Sequence, residues 1–184
     1  RRHTRYIGDW SSDVCSSDLY GAGSKFNSNR ERSVSTLVKT AGIGKRKGRR
    51  LYQTLRYFRV NQILEIGTSL GVATAYMSHA CPNSNITTLE GCPETARLAQ
   101  EQFDKFQLSN IRLIEGEFSK TLPLALEKAQ YVLIYFDGNH LKKPTLDYFY
   151  QCLNHKTESR IFIFEHNHFS DEMEEAWELI KCKD

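Results

Sequence analysis

The feature that most constrains this chain is an alternation. Five short apolar runs are separated by stretches with helical spacing of apolar residues. The runs are Gln62–Ile66 (QILEI), Ile86–Glu90 (ITTLE), Ile111–Glu115 (IRLIE), Tyr131–Phe136 (YVLIYF) and Arg160–Phe164 (RIFIF). Each has strand length and ends in turn-forming or polar residues. Between them Val72–His79, Glu94–Phe106, Leu122–Ala129 and Thr145–Leu153 read as helices, with Pro144 suited to a first turn. In Glu94–Phe106, Ala96, Ala99, Phe103 and Phe106 share one face. A last helix follows Ser170, a good N-cap with Asp171 and Glu172 behind it, and turns Met173, Ala176, Trp177 and Ile180 inward. Five β-α units in a row predict an α/β fold: a doubly wound, mostly parallel sheet with helices on both faces. Ligands in such sheets bind beyond the C-terminal strand ends, at the switch point beside the first strand.

Charge divides the chain. Residues 1–50 hold 12 Lys/Arg and 4 Asp/Glu, net +8, whereas residues 51–184 hold 13 and 18, net −5. The strand-and-helix region is therefore acidic, which argues against nucleic acid as partner. No apolar run reaches the length of a membrane span, and the first 20 residues lack a secretory apolar core. Five cysteines, at 15, 81, 92, 152 and 182, form no CxxC pair. This predicts free thiols and a cytoplasmic setting rather than a zinc site or disulfide scaffold.

The N-terminal part reads differently. Ser11–Leu19 (SSDVCSSDL) has no helical or strand period, and Arg1–Leu19 resembles translated sequencing-adapter read-through, a non-native tail. Residues 20–60 read as a helical segment: Ser33–Thr40 is weakly helical, Gly42–Gly48 interrupts it, and Leu51, Leu55 and Phe58 mark an apolar helix face. Lys45, Arg46, Lys47, Arg49 and Arg50 form a basic cluster that could touch phosphate but more often reads as a solvated helix start.

Function narrows to the strand ends. The first strand ends in Glu65-Ile-Gly67-Thr-Ser-Leu-Gly71, where glycines admit a ligand to the backbone at a helix N-terminus. A plain tight turn is the other reading. The second ends in Glu90, 19 residues after Gly71, placed to accept ribose hydroxyls or simply exposed at a strand end. After the third, Glu117 can accept from an adenine amine with Phe118 against the ring, or merely begin a helix. The G-x-G-x-x-G of dinucleotide folds is absent, and Glu65 would repel pyrophosphate but accept from an ammonium. Adenosine joined to an amino acid is S-adenosylmethionine.

From about Tyr20 onward the chain resembles the class I S-adenosylmethionine-dependent methyltransferases. Ile63–Ala75 (ILEIGTSLGVATA) is similar to the cofactor loop of the catechol and caffeoyl-CoA O-methyltransferase group. YGAGSK, LEGCPE, FDGNH and EMEEAWELIK resemble a bacterial branch found in Bacteroidetes-type genomes. The resemblance implies a Rossmann-like sheet over residues 61–184, here without the C-terminal strand six–seven hairpin, so a chain cut at both ends. It implies that Glu65, Gly67, Thr68, Ser69 and Gly71 hold the methionine part, Glu90 with Gly91 and Cys92 the ribose, and Glu117 and Phe118 the adenine. Asp137 would lie near the methyl and a small-molecule acceptor, most simply a hydroxyl oxygen. The family often pairs as a homodimer.

Two polar clusters end the fourth and fifth strands: Asp137-Gly-Asn139-His140 and Glu165-His166-Asn167-His168. The catechol-type relatives hold a magnesium-like ion with an Asp after the fourth strand and Asp-Asn after the fifth. Here Asp137, Glu165 and His166 stand in those places, a set with a histidine that suits a hard cation less well. Without a metal, His140 or His168 serves as general base. His79 and His155, Trp177, and Cys81, Cys152 and Cys182 read as structural. Two rival readings are a nicotinamide oxidoreductase on the same fold and a non-catalytic cofactor-binding module.

Overall fold

The computed structural model describes residues 13–15, 31–33, 43–155, 160–165 and 170–183. Two short strands, β1 (Asp13–Cys15) and β2 (Glu31–Ser33), pair antiparallel with Val14 opposite Arg32. The expected lack of strand structure in Ser11–Leu19 is thus corrected at its centre: backbone pairing needs no side-chain period. The helix expected over Ser33–Thr40 lies outside the described residues, apart from Ser33, which closes β2.

The main body runs α1 (Lys45–Phe58), β3 (Gln62–Ile66), α2 (Val72–Ala80), β4 (Asn85–Glu90), α3 (Pro93–Lys105), β5 (Ile111–Glu115), α4 (Phe118–Lys128), β6 (Leu133–Phe136), α5 (Lys142–Asn154), β7 (Ile161–Phe164) and α6 (Asp171–Lys181). The five strands form one parallel sheet in the order β5-β4-β3-β6-β7. The chain winds outward from β3 to β5, then returns to lay β6 on the other side of β3. The switch point therefore lies between β3 and β6, as expected.

Strand alternation assigns the two faces. Ile63, Ile86, Leu133 and Tyr135 pack against Leu51 and Leu55 of α1 and Ala73, Met77 and Ala80 of α2. Leu64, Ile66, Leu89, Ile134 and Phe136 face the other way, onto α4, α5 and α6. Leu55 is fully buried, and burying such a side chain stabilises by roughly 2 kcal/mol. Ser170 caps α6 by accepting from the Met173 N–H at 3.2 Å. Trp177 lies against Phe164 with ring centroids 5.6 Å apart.

Several boundaries differ from expectation, among them the start of α5 at Lys142 rather than Thr145. Gly42–Gly48 is no interruption over its whole length, since α1 begins at Lys45 and contains Gly48. A Cβ on Gly48 would lie 2.4 Å from the Tyr76 ring. Glycine's cost in a helix is accepted here because α1 and α2 approach too closely for any side chain. Helix α4 starts at Phe118, not Leu122, and carries Pro123 inside it. The fourth strand starts at Leu133, not Tyr131, although Tyr131 is buried. The basic cluster is, as expected, an exposed helix start.

Candidate functional site

The turn after β3 is held from below. The Gly67 and Thr68 N–H groups both donate to the Leu89 carbonyl, each at 3.0 Å. Gly67 has φ 101°, and a Cβ there would fall 2.5 Å from the Asp137 carbonyl oxygen. Gly138 is equally confined, with a virtual Cβ 2.7 Å from Phe118 and 3.2 Å from Gly67 Cα. The turn after β3 and the turn after β6 therefore press backbone to backbone at the switch point. Gly71, at φ 73°, starts α2 where a Cβ would meet the Phe103 ring of α3.

Under this turn lies a buried polar network. Glu65 is wholly inaccessible. Its Oε2 accepts from Thr74 Oγ1 at 2.5 Å and Thr88 Oγ1 at 2.6 Å. The Thr68 hydroxyl meets Thr88 Oγ1 at 2.6 Å; because Thr88 gives its proton to Glu65, Thr68 is the donor. Both Thr68 donors are spent inside the protein, so Thr68 braces the turn rather than offering a group above it. Glu65 Oε1 is buried with no hydrogen-bond partner among the described residues. Burial pushes its carboxyl up to about 8, the threonine hydroxyls pull it down, and Asp137 and Glu90 push it further up. At neutral pH this carboxyl is mostly protonated.

Glu90 ties two turns together. One carboxylate oxygen accepts from the Ser69 N–H at 2.8 Å, the other from the Cys92 N–H at 3.0 Å. Ionised carboxylate oxygens have lone pairs beyond these bonds. Gly91 is half-buried beside it and Cys92 buried. On the next strand end, Glu117 caps α4 and pairs with Lys120 at 3.1 Å. Hydrogen bonds from Ser119 and Lys120 keep the Glu117 carboxyl below its usual range. Phe118 is buried in the core, edge-on to Tyr148.

The loop after β6 is strained. Asn139 and His140 both have positive φ, 69° and 40°, a conformation that costs non-glycine residues and gathers at functional sites. Asn139 is anchored through its amide to the Tyr148 hydroxyl at 3.3 Å. Asp137 and His140 are half-buried. Asp137 and Glu165 line a cleft of about 420 Å³, whose opposite wall is Ile43, Gly44, Lys45, Arg46 and Lys47 at the start of α1. Lys47 Nζ reaches across to Glu165 Oε2 at 2.5 Å.

The structure thus brings Gly67, Ser69, Gly71, Glu90 and Asp137 to one rim, with Glu65 buried beneath it. His166 and His168 lie outside the described residues. Among the described residues no three His, Cys, Asp or Glu side chains converge on a metal position. Of the expected ligands, Glu165 already carries the Lys47 ammonium. As placed, the Glu165 side of this set is taken by a cation, and the His166 side lies outside the described residues.

Sequence reasoning missed four contributors. Thr74 and Thr88 hold Glu65, and nothing local marks them. Lys47 was read only as part of a solvated cluster. Tyr135 is fully buried beside Asp137, Glu165 and Glu65; burial and those carboxylates push its phenol far upward. It stands opposite Glu65 in the β3–β6 register, which the sequence does not show.

Known proteins share this architecture. The O-methyltransferase TomG of Streptomyces achromogenes, solved with S-adenosylmethionine, superposes with TM-score 0.68 at 18% identity, over 79% of this chain and 72% of that one. An O-methyltransferase from Bacillus cereus, solved with S-adenosylhomocysteine, gives 0.69 at 18% identity, over 81% and 74%. At such identities the likeness concerns the fold. A catechol O-methyltransferase of Niastella koreensis is 30% identical over 115 residues, 60% of this chain and 51% of that protein. The chain thus spans about half the length of that curated relative. A family model described as a methyltransferase domain matches residues 64–176, from Leu64 of β3 into α6. That match covers more than half of the chain and both turns that meet at the switch point, and the chain belongs to this methyltransferase-domain family.

Proposed function

We propose that this domain transfers a methyl group from S-adenosylmethionine to a hydroxyl oxygen of a small acceptor. The observation that carries the reading is the convergence, on one rim, of a glycine turn, the Glu90 carboxylate and an open cleft ending at Asp137. The residues fit such a cofactor. Once ionised, Glu65 would place negative charge beneath the turn, under the position of an ammonium group, with its Oε1 lone pairs unspent among the described residues. Glu65, Gly67, Ser69 and Gly71 would hold the methionine part, with Thr68 bracing them. Glu90, Gly91 and Cys92 would hold the ribose, and Glu117 and Phe118 the adenine. When bound, S-adenosylmethionine supplies an electrophilic methyl on a sulfonium.

The chain's own residues do the rest. Asp137 and the α1 wall orient the acceptor in the cleft. His140, on the same loop as Asp137, takes the hydroxyl proton as general base, with His168 as the other candidate. Holding the oxygen in line with the methyl supplies much of the acceleration. A cytoplasmic setting is in keeping with the free thiols of Cys81, Cys92, Cys152 and Cys182. A homodimer belongs to the same reading through the resemblance. No helix of the described residues is long and apolar enough to cross a membrane. The nicotinamide alternative gains no support from the family match or the relatives.

Calorimetric titration of the full chain with S-adenosylhomocysteine tests the reading. Binding is expected to weaken about 10- to 100-fold in Glu90→Gln, the loss of one or more charged hydrogen bonds. No binding by a folded wild-type chain would overturn the cofactor assignment. Binding without methyl transfer to hydroxyl acceptors would favour the non-catalytic module.

A further inference from the structure

The α1 wall of the cleft carries Lys45, Arg46 and Lys47, and the first turn of α1 holds no acidic residue. Across from it Glu165 is fixed at the backbone, because its N–H donates to the Phe136 carbonyl at 2.9 Å. Its side chain is only 16% exposed and points its Oε2 at the Lys47 ammonium, 118 residues away in sequence. A magnesium ion would need to sit about 2.0–2.1 Å from a carboxylate oxygen. The ammonium nitrogen, at 2.5 Å, already occupies that side of Glu165. Two further cations on the same wall oppose the approach of a divalent ion by like-charge repulsion.

We infer that Lys47 supplies in this cleft the positive charge that the resemblance assigned to a divalent ion, so that the site works without one. The inference rests on the methyltransferase reading. An ammonium has three N–H donors. One is spent on Glu165; the others serve the acceptor oxygen. In the transfer the acceptor's O–H bond breaks and its proton passes to the general base. The oxygen's electron pair forms the new O–CH3 bond as the S–CH3 bond breaks, and that bond's pair returns to sulfur as a neutral thioether. Lys47 keeps its protons throughout. It stabilises the oxygen as negative charge develops there, the task a metal performs as Lewis acid.

The test reads metal binding directly. The full chain is saturated with S-adenosylhomocysteine and titrated with MnCl2 while free manganese is followed by electron paramagnetic resonance. Wild type and Lys47→Arg are expected to bind no manganese in the cleft at 1:1 stoichiometry up to about millimolar concentration, the range in which weak oxygen sites fill. Lys47→Met is expected to bind at least about tenfold tighter than wild type, because removing the cation leaves the Glu165 carboxylate without its counter-charge in the cleft. Adding Glu165→Gln to Lys47→Met should abolish the gain. Methyl transfer by wild type should be indifferent to EDTA. Manganese binding by wild type that is lost in Glu165→Gln would overturn the inference, as would a Lys47→Met that gains none. Failure to bind S-adenosylhomocysteine would instead overturn the reading beneath it, so the two failures are distinct.

Discussion

The β3–β4 side of the rim and the β6–β7 side are built differently. On the first, Glu65, Thr68, Thr74 and Thr88 are all buried and joined by two hydroxyl-to-carboxylate bonds and one hydroxyl-to-hydroxyl bond of 2.5–2.6 Å. On the second, β7 is half-exposed along its whole length, and its closing Glu165 is held across the cleft by one lysine that is 53% exposed. Buried, satisfied hydrogen bonds fix a geometry; an exposed ion pair does so weakly. The first side presents one preorganised shape, suited to an invariant ligand. The second can change its contacts at little cost in stability, which suits a variable acceptor.

The contrast breaks most severely at the seam. Gly67→Ala places a methyl 2.5 Å from the Asp137 carbonyl at a φ of 101°. We expect a loss of about 3 kcal/mol or more, by strain and clash together, visible as a much lower denaturant midpoint or as insoluble protein. A Gly67→Ala chain with unchanged stability would show that the two turns are not locked.

Next comes pH. Glu65 carries a folded-state pKa raised to about 8 from 4.5, chiefly by burial. The folded chain therefore binds more protons than the unfolded chain between those values. Stability from this group is full below about pH 4.5 and falls as pH rises through about 8, by a few kcal/mol in all. Thermal melts of the ligand-free wild type should drop between about pH 5 and 8, and level off above that, more steeply than those of Glu65→Gln, whose amide needs no proton. Parallel slopes would remove Glu65 as the source. An ammonium-bearing ligand should favour the ionised carboxylate and so flatten the wild-type slope.

The smallest effect belongs to the open side. Lys47→Met should cost less than about 1 kcal/mol in urea unfolding, the ordinary worth of an exposed ion pair. A larger loss would mean that the β6–β7 side is as built-in as its neighbour.

Local sequence determined a good deal. The five apolar runs place every strand of the sheet within two residues, because strand and helix periods are written over a few neighbouring side chains. Gly67, Gly71, Glu90 and Asp137 were legible for the same reason: turn chemistry and position after a strand are local. Gly48 shows the limit, since a glycine reads as a break until Tyr76 is seen lying on it. Glu65 was legible as an acid but not as a buried one held by Thr74 and Thr88. Those bonds depend on α2 covering β3, and on Glu65 standing opposite Thr88 in the sheet register. Lys47 and Glu165, or Gly67 and Asp137, are neighbours only because the strand order reverses beside β3. Strand order and register are settled by packing the whole chain into one core. Which charges meet at the switch point was therefore decided by the tertiary structure.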